Sequence, residues 1–236
     1  MLDDLRLDYV LFLDIETVPA FPGFEKLPDG TKKLWEKKAE LLMRNDPETT
    51  ADKLYARAGI YAEFGKIVCI SCGFVNGKEF RIKSFYGDDE QILLEEFAHM
   101  LNKHYDTDRY LLCAHNGKEF DFPYIARRML INSIKLPRIL DSAGKKPWEV
   151  RHLDTMELWK FGDYKHFTSL ELLASVFNIP TPKDDIDGSM VGHVYWEEKD
   201  LERIVTYCQK DVITIAQLLR RYMGLPLISE ADIQYA

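Results

Sequence analysis

The chain has 236 residues and a formal charge of −8, from 31 Lys and Arg against 39 Asp and Glu. With 46% hydrophobic and 12% aromatic residues it has material for a buried core, which excludes a disordered or fibrous chain. The acidic balance argues against a protein that coats nucleic acid by bulk charge, although not against an enzyme that acts on one. No run approaches the ~20 apolar residues of a membrane span. The opening MLDDLRLDYV carries acids where a signal peptide starts basic and apolar, so a cytoplasmic chain with no membrane partner is expected.

Residues 9–13 form a short apolar run of the kind found in a central buried strand, ending in Asp14-Ile15-Glu16-Thr17. Prolines and glycines then break the pattern over 19–30. Helices are predicted over 31–45, from the spacing of Leu34, Leu41 and Leu42, and over 51–64. Together residues 20–65 read as a helical insertion in one domain spanning 1–236. Strands at 66–75 and 79–86 flank Asn76-Gly77, a strong hairpin signal. An amphipathic helix follows at 88–103, then a strand at 110–114 and the turn His115-Asn116-Gly117. Pro123 suits the first turn of a helix reaching Leu130. A short strand near 151–155, a helix at 168–177 and a long helix at 198–222 complete the order, which is that of an α/β mixed sheet with helices packed on it.

The four cysteines are too few and too scattered for a disulfide framework. Cys69 and Cys72 lie in a strand pattern, where a spacing of three points side chains to opposite faces. Buried thiols are therefore expected there, not a zinc site.

Asp14 and Glu16 are two apart, so in a strand they share one face about 7 Å apart. Two acids ending an apolar strand repel each other and lose solvation. A divalent cation relieves both costs, and hard oxygen donors suit Mg²⁺ or Mn²⁺. An exposed strand end accounts for the pair equally well. Asp121 reads alone as an ordinary helix-start acid. Tyr207 and Asp211, four apart on the last helix, share a face, as many surface pairs do.

In combination these motifs are more specific. Leu11-Phe-Leu-Asp-Ile-Glu-Thr-Val-Pro19, His115-Asn-Gly-Lys-Glu-Phe-Asp121 and Tyr207-Cys-Gln-Lys-Asp211 occur in fixed order. The set resembles the DEDD superfamily of 3′–5′ exonucleases in its tyrosine branch, and within it the stand-alone relatives of the proofreading domain of family B DNA polymerases.

That resemblance implies a ribonuclease H-like fold. It implies that Asp14, Glu16, Asp121 and Asp211 hold two divalent cations, Mg²⁺ or Mn²⁺, for hydrolysis at the 3′ end of single-stranded DNA or RNA, with DNA favoured. Tyr207 would orient the attacking water, since a phenol of pKa near 10 is a poor base at neutral pH. Thr17 and Val18 would meet the terminal base and sugar, Asn116 and Phe120 the penultimate residues, and Arg127 a phosphate, unless it is an ordinary surface arginine. Asp154 is expected to play a supporting or structural part. The segment Lys183–Ser189 resembles the stand-alone relatives but fails as a calcium loop, because Met190 and Trp196 stand where glycine and glutamate are needed.

Lys32, Lys33, Lys37 and Lys38 alternate with Glu36 and Glu40, as on a solvated helix face. The sharper expectation is that the insertion lines the path of a strand, with Trp35 or Tyr55 as a stacking platform. Two other readings remain: an aspartyl-nucleophile phosphatase, and a nucleic-acid-binding domain without catalysis.

Overall fold

The computed structural model describes residues 2–45, 48–163, 167–180 and 186–236. One mixed sheet has the order β5-β4-β1-β2-β3-β6. Its strands are β1 (Val10–Pro19), β2 (Gly65–Asn76), β3 (Glu79–Tyr86), β4 (Leu111–Ala114), β5 (Leu153–Asp154) and β6 (Ile233–Tyr235). β1, β2 and β3 are antiparallel neighbours, while β4 runs parallel to β1, β5 to β4 and β6 to β3. The hairpin turns at Gly77-Lys78, where Gly77 takes a φ of +65° that a side chain would strain.

β1 is buried on both faces, which accounts for its unbroken apolar run. Leu11, Leu13 and Ile15 pack on one face with Phe97, Leu101 and Ile125 from α3 (Glu90–His104) and α4 (Asp121–Ile131). Val10 and Phe12 pack on the other with Val212, Ile215 and Leu219 of α8 (Leu201–Tyr222). Because strand side chains alternate, this register sends Asp14 and Glu16 towards α8.

Residues 20–64 carry α1 (Asp29–Leu42), α2 (Ala51–Tyr55) and a 3₁₀ turn at Ala58–Ile60. Their buried stripe is Trp35 and Ala39, whereas Leu34 and Leu41 are more than half exposed. Trp35 is wholly buried, edge-on to Tyr55 at 5.4 Å and to Phe64 at 5.1 Å, with its Nε1–H donated to Ala51 O at 2.7 Å. This corrects the stacking expectation: Trp35 and Tyr55 are the small core of the insertion and present no ring to a ligand. Lys32 and Lys38 lie over Phe24 and Tyr61, so two of the four lysines cover this core.

α2 is also far shorter than the 51–64 span expected. The chain leaves the helix after Tyr55 and turns tightly at Gly59 against the end of β1. After β5 come α5 (Thr155–Lys160), α6 (Leu170–Val176) and α7 (Val191–His193), which runs on into a π-helical turn over Val194–Glu198.

Candidate active site

Three elements bring six of the expected residues into one cavity of about 530 Å³. Asp14, Glu16 and Thr17 come from β1, Asp121 from the first turn of α4, and Tyr207 and Asp211 from successive turns of α8. Immediately after Glu16 the ladder slips: Glu16 faces Cys69 and Thr17 faces Ile67, so Val68 has no opposite number. Bulges of this kind re-aim side chains.

Asp121 is placed by the turn before it. Asn116 adopts a left-handed φ of +62°, its carbonyl accepts the Phe120 N–H at 3.0 Å, and Gly117 O accepts the Phe122 N–H at 2.9 Å. The Asp154 carboxylate braces this turn from behind by accepting the Asn116 and Lys118 N–H groups at 2.9 and 3.1 Å. The same carboxylate caps α5 through the Met156 and Glu157 N–H groups. His115 is neutral at neutral pH, since burial lowers its pKa, and its Nε2–H donates to Thr168 O while Nδ1 accepts from Thr155 Oγ1.

The carboxylates are buried together and disfavour each other's charge. Asp14 and Glu16 are pushed well above the usual range, first by burial and then by Asp211, with Glu16 adding to the shift of Asp14 and Asp121 to both. Asp121 is pushed up to about 7, chiefly by burial, against the pull of backbone N–H groups. The Tyr207 phenol is raised far above its ordinary value by burial and by Asp211, to which its hydroxyl hydrogen-bonds.

Donor atoms of Asp14, Glu16 and Cys208 lie within 4.8 Å of one another. Burial holds the Cys208 thiol well above its ordinary pKa, so it stays protonated and donates to Asp14 at Oδ2 (3.5 Å) and at the backbone oxygen (3.4 Å). Its soft sulfur is poorly matched to a hard cation. The chemistry of the remaining donors, hard oxygens carrying mutually repelling charge, fits a divalent cation of the Mg²⁺ or Mn²⁺ class.

Asn116, Phe120 and Thr17 also line the cavity. Val18 and Arg127 do not. The Val18 side chain is fully buried with Val68, Val194 and Ile204, covered on the α8 side of the sheet and closed off from the cavity. Arg127 is exposed and lies six residues beyond Asp121, which rotates it by about 120° around the helix. Its neighbour Arg128 is the buried one, paired with Glu90.

Sequence reasoning missed several lining residues: Arg57, Gly59 and Ile60 from the insertion, and Gly188, Ser189 and Gly192. The first three carry no local signal, since only the fold brings the insertion here. Of the segment Lys183–Ser189, residues 183–185 lie outside the described residues. Asp187 ties the turn that follows by accepting the N–H and the hydroxyl of Ser189.

The chain is similar to known proteins in both sequence and fold. A DNA polymerase of Pyrococcus glycovorans is 23% identical over 149 residues, covering 58% of this chain and 18% of the polymerase. The family B DNA polymerase of the hyperthermophilic archaeon Pyrobaculum calidifontis matches in structure with a TM-score of 0.54 at 16% identity, over 91% of this chain and 24% of the polymerase. That likeness shows the fold, a ribonuclease H-like mixed sheet flanked by helices. The chain thus spans a quarter or less of the length of either polymerase. Residues 60–226 match the family described as predicted 3′–5′ exonucleases related to the exonuclease domain of PolB, and the chain belongs to that family.

Proposed function

We propose that this chain is a metal-dependent exonuclease that shortens single-stranded nucleic acid, DNA in preference to RNA, from its 3′ end and releases 5′-mononucleotides. The observation that carries this reading is the convergence of Asp14, Glu16, Asp121, Asp211 and Tyr207 from three separate elements in one cavity.

Carboxylates gathered without a cation are held together at a cost, as the raised pKa values of Asp14, Glu16 and Asp121 attest. Asp14, Glu16, Asp121 and Asp211 would hold two divalent cations, which when bound lower the pKa of water and stabilise a departing alkoxide. Four negative charges against two divalent ions leave a near-neutral floor that tolerates a phosphodiester. Tyr207 stays a neutral phenol, so its part is to orient the attacking water by a hydrogen bond and not to remove its proton. Asn116 Oδ1 is buried without a hydrogen-bond partner among the described residues. An orphan acceptor costs about 1–3 kcal/mol, and a hydroxyl or base N–H of the 3′-terminal nucleotides would satisfy it. Thr17 and Phe120 form the adjoining wall for sugar and base.

The test is incubation of 5′-labelled single-stranded DNA and RNA with Mg²⁺ or Mn²⁺. Stepwise loss of 3′ nucleotides is expected, abolished by chelator and nearly abolished by Asp14→Ala or Asp211→Ala. Tyr207→Phe lowers kcat by about 10²-fold or more if the hydroxyl orients water. Strand binding without digestion would favour a binding domain, and a phosphorylated Asp14 would favour a phosphatase. Digestion that persists in both alanine variants overturns the site.

A further inference from the structure

The wall facing the end of β1 comes from the insertion, with Arg57 and Gly59 ahead of the segment matched to the family and Ile60 at its first residue. The chain goes to some length to place it there. A Cβ at Gly59 would lie 2.9 Å from the Val18 carbonyl carbon and 3.1 Å from Pro19 N, so the turn sits backbone against backbone on the strand. The buried Tyr124 hydroxyl donates to Gly59 O at 2.7 Å and fixes it from the α4 side. A Cβ at Gly65 would strike both that hydroxyl and the Gly59 carbonyl. The side chains this clamp turns towards the cavity are Arg57 and Ile60, both exposed.

Arg57 has two properties that a merely solvated arginine need not share. Among the described residues lining the cavity it is the one Lys or Arg. Among the described residues its guanidinium has no hydrogen-bond or ion-pair partner, although the cavity floor carries four acids. It is therefore neither neutralised by those acids nor needed to hold them. Position explains why: its turn stands against Val18 and Pro19, two to three residues along β1 from Glu16, or about 7–10 Å. Successive phosphates of an extended single strand are separated by a comparable span.

We infer that Arg57 is a phosphate-binding residue of this site, gripping the phosphodiester one nucleotide 5′ of the bond to be cut. The inference rests on the proposed exonuclease function and adds to it a contact that measures the substrate: a ligand with a single phosphodiester cannot reach both the acidic floor and Arg57. The guanidinium suits the task because its planar donors pair two-to-two with phosphate oxygens. Ile60 offers an apolar edge beside it for the neighbouring base.

The test compares two substrates and one binding assay. On a 5′-labelled oligonucleotide, Arg57→Ala raises KM about tenfold or more, the scale of one charge-assisted hydrogen-bonded contact, while kcat stays within about threefold. Arg57→Lys restores part of the loss. On p-nitrophenyl thymidine 5′-phosphate, which has one phosphodiester, Arg57→Ala has no effect. An equal loss on both substrates would place Arg57 at the scissile phosphate and overturn the assignment. Anisotropy of labelled single-stranded DNA is measured in parallel in an Asp211→Ala background, where turnover is not needed. There Arg57→Ala weakens binding by a similar factor and flattens the slope of log K against log salt by about 0.7, the value for one phosphate contact on a single strand. If the wild type digests nothing but this binding loss remains, the exonuclease reading fails and the phosphate contact stands. If neither binding nor KM changes, Arg57 is a solvated arginine and the contact is rejected, whatever the enzyme does.

Discussion

The Asp154 carboxylate accepts the backbone N–H of Asn116 at 2.9 Å across the gap between β5 and the turn that leads to Asp121. With its bonds to Lys118, Met156 and Glu157 it satisfies four N–H groups at once, two in that turn and two at the start of α5. Asp154 is 3% exposed and does not line the cavity, so it acts on the site through the position of Asn116. Asp154→Ala is expected to cost about 2–4 kcal/mol, a lost helix cap plus two orphaned buried donors. Urea denaturation reads that loss. The positioning role itself is read by kcat measured on the folded fraction, which falls as well, and Asp154→Glu or Asp154→Asn recovers some stability before it recovers kcat.

The acidic floor stores repulsion in the metal-free protein. Removing one charge without changing shape, as in Glu16→Gln, should raise the Tm measured in chelator by about 2–6 °C, one or two kcal/mol in a chain of this size. The same substitution should remove most of the stabilisation that Mn²⁺ gives the wild type, which is about 2.7 kcal/mol at a hundredfold excess over Kd. Differential scanning fluorimetry with and without Mn²⁺ checks both. A wild type whose Tm ignores Mg²⁺ and Mn²⁺ contradicts the cation assignment.

His152 is a pH-sensitive brace. Its Nδ1 accepts the Leu112 N–H at 3.1 Å and its Nε2–H donates to Ile139 O at 2.8 Å, so only the neutral ring satisfies both. Burial pushes its pKa down to about 4. Between there and its unfolded value near 6.5 the unfolded chain binds the extra proton. The stability contributed is therefore complete above pH 6.5 and is lost as pH falls towards 4, about 3 kcal/mol in all. The buried carboxylates, whose raised pKa values favour the folded state at low pH, work in the opposite direction. For that reason the quantity to measure is the difference between wild type and His152→Gln at pH 5 and pH 7. The gap should narrow at pH 5, and a gap independent of pH would show that His152 does not titrate in this window.

Arg127 and Arg128 separate sharply. Arg128 donates Nε–H to Glu90 Oε1 at 2.8 Å, pairs closely with Oε2, and reaches Ala62 O at 2.8 Å, while Glu90 also accepts the Ile67 N–H at 2.7 Å. This buried pair joins α3, α4, β2 and the end of the insertion. Arg128→Met leaves Glu90 buried without its cation and should cost about 3–5 kcal/mol. Arg127→Ala should change stability by less than about 0.5 kcal/mol and leave the rate of digestion unchanged. A large loss of KM or kcat in Arg127→Ala would reinstate it as a substrate contact.

What was legible in the sequence is what depends on local period. Alternation alone puts Asp14 and Glu16 on one face of β1, and an i, i+4 spacing puts Tyr207 over Asp211; the register of β1 on α8 does the rest. Arg127 stands outside the cavity, an exposed residue as its reading as a surface arginine has it, because six residues along a helix turn it about 120° from Asp121. Trp35 and Tyr55 looked like available aromatics because nothing local shows that Phe21, Phe24, Tyr61 and Phe64 close around them. β6 is three residues long, too short to show alternation, and exists only because β3 offers it an edge. Arg57 was invisible for a related reason: its place depends on where a helical insertion returns to the sheet. Cys208 belongs to the apolar stripe of α8, and its hydrogen bond to Asp14 adds a second duty that spacing does not reveal.

The end of β1 is gripped from both sides. Gly59 presses on Val18 and Pro19, while Trp196 in the π-helical turn donates its Nε1–H to Pro19 O at 3.0 Å. Segments bearing catalytic groups often belong to the least stable part of a fold, where local opening is easy. Here the strand with Asp14, Glu16 and Thr17 is among the most tightly fastened. Its amide protons should exchange with solvent only when the whole molecule unfolds, as slowly as those of the central core. A cleft held open in this way admits its ligand without rearranging, so the speed of capture would be set by diffusion of the strand end and not by any motion of the protein.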